Sequence, residues 1–257
     1  MAITLCRLCR SLCLLGESSS KETYRGDREN DGNYPEKTCS FFFTIITLLT
    51  LAISIHAQPQ ITIDHNHGTA ATAAFKFKSV PSPARDDAAS NASLTMVDGE
   101  ADPNSADISA LTDGLLPDSD DQPRRNFFLT AGSGGGRLKI DLGKPIDIAQ
   151  INSYSWHPQS RGPQVYRVWA SDGNHPRFNP EPKASIDPAA CGWKLIATID
   201  TRSDDEDKDG GQFGVSITDK SGAIGRFRYL LFDCYVTEVA DNFGNTFYSE
   251  IDVVAKK

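Results

Sequence analysis

Short runs of alternating apolar and polar residues recur along the chain from residue 61 onward, separated by turn residues. A period of two is the pattern of half-buried antiparallel strands, and it is clearest in RLKIDL and VYRVWAS. The pattern predicts strands at 61–63, 74–80, 137–142, 148–156, 165–171, 193–200, 212–217, 227–235 and 247–254. The Pro-, Ala- and Asp-rich stretch 81–107 is predicted to be irregular. Strands at this spacing predict an all-β protein, an antiparallel β-sandwich or jelly roll.

The predicted strands are bounded by residues that suit turns. The sequence DLGKP at 141–145 is predicted to end one strand, because Gly143 can adopt a positive φ and Pro145 cannot donate to a ladder. The pair Asp172–Gly173 directly follows another strand and predicts a second turn.

A largely apolar run of 17 residues with Thr and Ser inside it, 41–57, lies near the N-terminus after Lys37. It is shorter than the roughly 20 residues of a membrane-spanning helix, and it ends in small residues, as secretory signals do. We therefore predict a leader at 1–57, export to the cell surface, the periplasm or the medium, and no stable membrane span after cleavage. A signal anchor that keeps a cytoplasmic stub is the alternative.

Charge and composition narrow the classes of function. The chain is 39% hydrophobic and 23% charged, which fits one medium globular domain or two small ones and excludes a disordered or fibrous protein. Its net charge is -8, and the leader holds six basic and six acidic residues, so the whole excess lies in residues 58–257. No basic patch is visible, which excludes binding to a nucleic-acid backbone.

Four of the six cysteines lie in the predicted leader, which leaves Cys191 and Cys234 in the exported part. An even pair in an exported protein predicts one disulfide. The alternative is two buried free thiols, because both residues lie beside apolar strand-like runs.

Four short motifs follow one another along the chain. They are ALTDG at 110–114, LKIDLGKP at 138–145, YRVWASDG at 166–173 and YSEIDV at 248–253. In this order they resemble the discoidin-like family of coagulation-factor C-type and galactose-binding-like β-sandwiches, which includes carbohydrate-binding modules. The resemblance covers roughly residues 75–257 and leaves 58–74 as an N-terminal segment. It implies an antiparallel, eight-stranded jelly roll without catalytic residues of its own.

The resemblance also implies a structural calcium ion. In such modules an Asp from the D-G turn and a Glu from the last strand bind calcium together with backbone carbonyls, and the matching residues here are Asp113 and Glu250. Calcium takes six to eight oxygen ligands. The family's Thr-x-Trp after the turn is missing, and Asp118, Asp120 or Asp121 could substitute as a ligand. The alternative is that all of these are ordinary turn and edge carboxylates.

Two loops carry the residue types that bind sugars. The loop at 155–163 contains Trp156, His157 and Arg161, and a later loop contains Asn242 and Phe243. An aromatic ring can stack on a pyranose while His, Arg or Asn groups bind its hydroxyls, and galactose-binding relatives use such a set. The alternative is a core tryptophan, a capping histidine and a solvated arginine.

A second acidic run, 204–211, begins like the calcium loop of an EF-hand, but its twelfth position is Ser216 and no helices flank it, so we predict a solvated loop. Metalloprotease, serine-hydrolase, P-loop and dinucleotide-binding motifs are absent from the sequence.

The leading hypothesis is an exported, non-catalytic module that binds a glycan or cell-surface polysaccharide. A cell-surface adhesion or protein-interaction domain with a protein partner is the alternative. A glycoside hydrolase with two unrecognised carboxylates is a third possibility.

Overall fold

The computed structural model describes residues 59–205, 210–237 and 245–257. Within them the strands are β1 Pro59–Asn66, β2 Ser93–Asp98, β3 Gly135–His157, β4 Val165–Ser171, β5 Lys194–Asp200, β6 Gly211–Asp219, β7 Gly225–Tyr235 and β8 Tyr248–Ala255. Short 3-10 helices span Gly68–Ala70, Ile108–Leu111, Pro123–Arg125 and Pro188–Cys191. The predicted leader lies outside the described residues. None of the helices in the described ranges is long and apolar enough to cross a membrane.

All strand pairs are antiparallel, and the long β3 belongs to two layers. Its first part pairs with β2 and β7, and β4 and β5 continue this first layer beyond β7. Its second part pairs with β6 and β8, and β1 continues this second layer beyond β6. The predicted fold class, an antiparallel jelly-roll sandwich, is confirmed.

The transition between the layers occurs at the predicted turn. The pairing of β3 with β7 shifts register between Asp141 and Ile146, and Gly143 has a φ of 78°. The Gly143 backbone N donates a hydrogen bond of 2.8 Å to Asp141 Oδ1. The sequence predicts two separate strands, 137–142 and 148–156, and this is wrong because both belong to the single strand β3. The irregularity interrupts only the ladder, and the chain continues in extended form into the second layer.

The hydrophobic core lies between the layers. The first layer contributes Leu138, Ile140, Val168, Leu230 and Phe232, and the second contributes Ile151, Val215, Ile217, Ile251 and Val253. All are buried and belong to one contiguous cluster. Each such side chain contributes about 1.5–3 kcal/mol through the apolar surface it removes from water. The alternation seen in the sequence therefore corresponds to an inner and an outer face in each layer.

The predicted strand at 74–80 is not a strand. The segment crosses the outer face of the second layer, where Phe75 and Phe77 pack against Tyr154, and Phe75 also packs against Trp156. Phe75 has a φ of 44°, which is incompatible with an extended ladder. The alternation in this segment reflects aromatic packing onto a sheet, and its backbone pairs with no strand.

The prediction that 81–107 is wholly irregular is also wrong, because β2 lies within it. This strand is short and pairs with β3 alone, with a register shift between Met96 and Asp98. A six-residue edge strand surrounded by Ala, Ser and Asp produces too little alternation to stand out from its flanks.

Cys191 and Cys234 are both free and buried, so the predicted disulfide is not formed. Cys234 faces the main core, whereas Cys191 packs with Trp169, Trp193 and Leu231. Leu231 and Cys234 lie on opposite faces of β7, so the first layer separates the two thiols. Burial raises the pKa of Cys234 to about 12.

A buried ion pair fixes a long loop to the first layer. Arg137 Nε lies 2.8 Å from Asp233 Oδ1, and Arg137 Nη2 lies 3.2 Å from Asp233 Oδ2. Arg137 Nη1 donates to three carbonyl oxygens of the segment 182–186, at 2.8 to 3.1 Å. The Tyr235 hydroxyl donates to Asp233 Oδ2 at 2.8 Å. The charged groups therefore have hydrogen-bonding partners that offset the cost of removing them from water.

Candidate functional site

A cleft of about 530 Å³ lies where β3 ends and β6 begins. We call it the Trp156 cleft. Its lining residues are His67, Gly68, Ala71, Thr72, Ala73, Asp118, Ser119, Asp120, Trp156, Pro158, Gly210 and Gly211. They come from four separate parts of the sequence that the second layer and its connections bring together.

Histidines at the end of β1 hold one wall of the cleft. His65 Nε2 and His67 Nδ1 lie 3.0 and 2.7 Å from the carbonyl oxygen of Gly210. A carbonyl oxygen only accepts hydrogen bonds, so His67 Nδ1 carries a proton and Nε2 of the neutral ring is an acceptor. A Cβ on Gly210 would lie 2.2 Å from the Pro158 carbonyl oxygen, so the close approach of these segments requires glycine.

Trp156 provides an aromatic wall and an unused hydrogen-bond donor. Its side chain is buried, and its ring meets that of Phe75 edge to face at a centroid distance of 5.6 Å. Its indole Nε1 is buried and has no hydrogen-bond partner. An unpaired buried donor costs about 1–3 kcal/mol. A ligand oxygen that accepted from this group would remove that cost.

The predicted sugar-binding residues fall into two places. Trp156 lies in the cleft, while His157, the next residue of β3, points to the opposite face of the strand. His157 and Arg161 come together around Phe247. The His157 ring lies 4.7 Å from the Phe247 ring, edge to face, and the Arg161 guanidinium carbon lies 5.2 Å from the Phe247 centroid.

Phe247 also stacks on Phe128 at 4.2 Å, and its backbone N donates to the Arg161 carbonyl oxygen at 2.9 Å. We call His157, Arg161, Phe128 and Phe247 the Phe247 cluster. The sequence pattern places Phe247 at the end of the second candidate loop and at the start of a strand, but the aromatic contact predicted from it is Phe243. Asn242 and Phe243, predicted for this site, lie outside the described residues.

The charged groups that act on His157 come from both the Trp156 cleft and the Phe247 cluster. Burial lowers the pKa of His157, and the Arg161 guanidinium lowers it further, whereas Asp120 and Asp121 act in the opposite direction. His157 Nδ1 accepts a hydrogen bond of 3.0 Å from the Gln159 backbone N, so the proton of the neutral ring lies on Nε2. Asp120 therefore lies both at the cleft and near the Phe247 cluster.

This lowered pKa predicts sensitivity to acid. The folded-state pKa of His157 lies below the unfolded value of about 6.5, so the unfolded chain binds the proton more strongly and stability falls as pH drops below 6.5. Replacing His157 with Gln removes that contribution. We expect urea denaturation at pH 7.5 and 5.5 to give a larger loss of unfolding free energy for the wild type than for His157→Gln. Equal losses in the two proteins would contradict this interpretation.

Glu250 lies on β8 and is fully buried. Its Oε2 accepts a hydrogen bond of 3.1 Å from the Gly114 backbone N, while its Oε1 is buried and has no partner. Burial, with the charges of Asp252 and Asp113, raises the pKa of Glu250 to about 9. Burial also raises the pKa of Asp252 to about 6. The Asp113 turn and the last strand thus meet around an unsatisfied carboxyl oxygen.

Asp118, the other predicted metal ligand, is placed elsewhere. It lines the Trp156 cleft, and its carboxylate accepts a hydrogen bond from the side-chain amide of Gln122. Within the described ranges, no group of three or more His, Cys, Asp or Glu side chains is arranged to hold a metal ion. A cation at Glu250 would therefore need backbone carbonyl oxygens, which are ligands that calcium accepts.

No protein-family profile matches the sequence, and no curated protein matches it. Among solved structures, a fucose-binding module of Streptococcus pneumoniae is similar over 67% of this chain and 99% of its own, with 11% identity and a TM-score of 0.40. A chitosan-binding module from a chitosanase/glucanase of Paenibacillus sp. IK-5 is similar over 66% and 99%, with 14% identity and a TM-score of 0.42. The lectin domain of lectinolysin, solved with Lewis B antigen, is similar over 67% and 98%, with 13% identity and a TM-score of 0.41.

Proposed function

We propose that this chain is an exported, non-catalytic carbohydrate-binding module that holds a sugar in the Trp156 cleft. The observation that carries the proposal is the unpartnered indole N–H of Trp156 beside a cleft of about 530 Å³. This volume falls within the range of small-ligand sites, which combine apolar walls with a few polar groups.

The lining of the cleft supports a hydroxylated ligand. Trp156, Pro158 and Ala71 provide apolar surface, while Thr72, His67 and the segment 118–120 provide hydrogen-bonding side chains. Sugar hydroxyls both donate and accept, so they can pair with carboxylate oxygens as well as with the indole N–H. The Phe247 cluster, with His157 and Arg161, flanks the cleft through Asp120 and could contact a longer glycan.

A structural calcium ion is the second part of the proposal. The unpaired Oε1 of buried Glu250 and the nearby Asp113 charge support it, because a hard cation would stabilise the ionised carboxylate at that position. Glu250 and Asp113, with backbone carbonyls, would hold the ion. Its charge would connect the 113–114 turn to the last strand.

Export rests on the sequence of the leader. The apolar run 41–57 ends in small residues and precedes the sandwich, as a secretory signal does. N-terminal sequencing of the protein recovered outside the cytoplasm tests this part. A mature chain that begins near residue 58 is the expected result, and an intact leader would contradict cleavage.

Replacing Trp156 with Phe tests the sugar site. Phenylalanine keeps an aromatic ring against Phe75 but removes the N–H, so affinity for a bound sugar should fall about 2- to 10-fold, the effect of one lost hydrogen bond. Trp169→Phe is the matched control, since Trp169 is also buried with an unpartnered Nε1 but belongs to a separate cluster outside the cleft.

Calorimetric titration with galactose, fucose, glucosamine and N-acetylglucosamine gives the affinities for both variants. The proposal requires that the wild type and Trp169→Phe bind at least one of these sugars equally and that Trp156→Phe binds it more weakly. Equal affinity in all three proteins would place the sugar elsewhere. An absence of binding by the wild type would contradict the proposed function.

A further inference from the structure

We infer that the Trp156 cleft recognises a saccharide that carries a protonated amine, as a hexosamine with a free amino group does. The inference rests on the proposed sugar-binding function and specifies the class of sugar. It is carried by the charges and the hydrogen-bonding groups of the cleft wall.

The charged side chains of the wall are acidic. Asp118 and Asp120 are exposed, line the cleft, and stand on the same short loop, while no Lys or Arg belongs to the lining. No salt bridge found among the described residues involves Asp118 or Asp120. Arg161, the cation that acts on His157, lies over the Phe247 ring and outside the lining. The two carboxylates thus face the cleft without a neutralising cation in its wall.

The hydrogen-bonding groups of the wall are also unbalanced. Asp118 and Asp120 supply acceptor oxygens, and His67 presents an acceptor at Nε2 when neutral because its Nδ1 donates to Gly210. The hydroxyls of Thr72 and Ser119 can donate or accept, and the buried indole N–H of Trp156 is a donor without a partner. A ligand that complements this wall brings several N–H donors together with at least one acceptor oxygen.

A protonated amino sugar has this composition. Its ammonium group offers three donors and one positive charge, which complement the carboxylates, and its hydroxyl oxygens can accept from the indole N–H. An N-acetylated sugar of the same ring offers a single neutral N–H at that position. The cleft should therefore discriminate between the two through charge, and added salt should weaken the discrimination.

The test compares glucosamine with N-acetylglucosamine by calorimetric titration at pH 7, where most of the glucosamine carries a protonated amine. We expect the wild type to bind glucosamine about five-fold more tightly, the effect of an exposed charge pair of about 1 kcal/mol. The double variant Asp118→Asn/Asp120→Asn should lose this preference and bind the two sugars with similar affinity, because its amides carry no charge. Glu100→Gln is the matched control, since Glu100 is an exposed carboxylate outside the cleft, and it should retain the preference.

The outcomes separate this inference from the proposed function. Equal or tighter binding of N-acetylglucosamine by the wild type overturns the inference and leaves the sugar-binding function standing. A preference for glucosamine that survives in the double variant, or that Glu100→Gln also loses, overturns it too. Binding of no sugar by the wild type overturns both.

Discussion

Replacing Arg137 with Ala is expected to lower the free energy of unfolding by about 3–5 kcal/mol, because it leaves the buried Asp233 carboxylate without its partner. The substitution also removes three hydrogen bonds that hold the segment 182–186 against the first layer. Urea denaturation followed by tryptophan fluorescence measures the loss.

Arg226→Ala is the control for this prediction. Arg226 pairs with Asp147 at 3.2 Å, but both side chains are more than half exposed, so its removal should cost less than about 1 kcal/mol. A variant that replaces both buried partners, Arg137→Met with Asp233→Leu, should recover part of the loss because no unpaired charge remains. Similar small losses for Arg137→Ala and Arg226→Ala would contradict a structural role for the buried pair.

Calcium is expected to raise the melting temperature of the wild type and to leave that of Glu250→Gln unchanged. At a calcium concentration 100 times Kd, the gain in stability is about 2.7 kcal/mol, which corresponds to roughly 5–10 °C in Tm for a domain of this size. In the absence of the ion Glu250 is protonated at neutral pH, because burial raises its pKa to about 9, and a glutamine amide resembles that form. The variant should therefore fold and melt normally when calcium is absent.

Scanning calorimetry with calcium and with EDTA provides this measurement. Asp113→Asn should also reduce the response, whereas Asp118→Asn should keep it, since Asp118 bonds to Gln122 and lines the cleft. A wild-type Tm that calcium does not change would contradict the proposed ion. A response that Asp118→Asn loses and Glu250→Gln keeps would place the ion elsewhere.

The sequence pattern predicts the fold best where one face of a strand packs on the main core. VYRVWAS predicts β4 with the bounds that the structure has, because its alternating residues meet the core on one face. The same reasoning fails at 74–80, where Phe75 and Phe77 alternate with lysines but pack against the rings of Tyr154 and Trp156. Periodicity reports which side chains are buried, and it does not report whether the backbone has a partner strand.

The candidate site could be predicted only in part, because local sequence indicates contacts only between residues that are close along the chain. His157 and Arg161 lie in one loop, so their proximity follows from local sequence, and the structure places both at Phe247. The Trp156 cleft joins segments near residues 67–73, 118–120, 156–158 and 210–211, and no local pattern indicates that they meet. The same holds for the approach of Gly114 to Glu250, which only the family resemblance suggested.

NMR can observe directly whether a sugar binds beside the indole N–H of Trp156. The chain has three tryptophans, so a ¹⁵N-labelled sample gives three indole resonances, and Trp156→Phe assigns one of them. Trp169 lies in a separate cluster, and Trp193 Nε1 already donates to the Asn179 carbonyl oxygen at 2.8 Å. Titration with glucosamine, N-acetylglucosamine, galactose and fucose should shift the Trp156 indole resonance in a saturable manner with at least one sugar and leave the other two in place. A saturable sugar titration in which the Trp156 resonance does not move would contradict sugar binding in the Trp156 cleft.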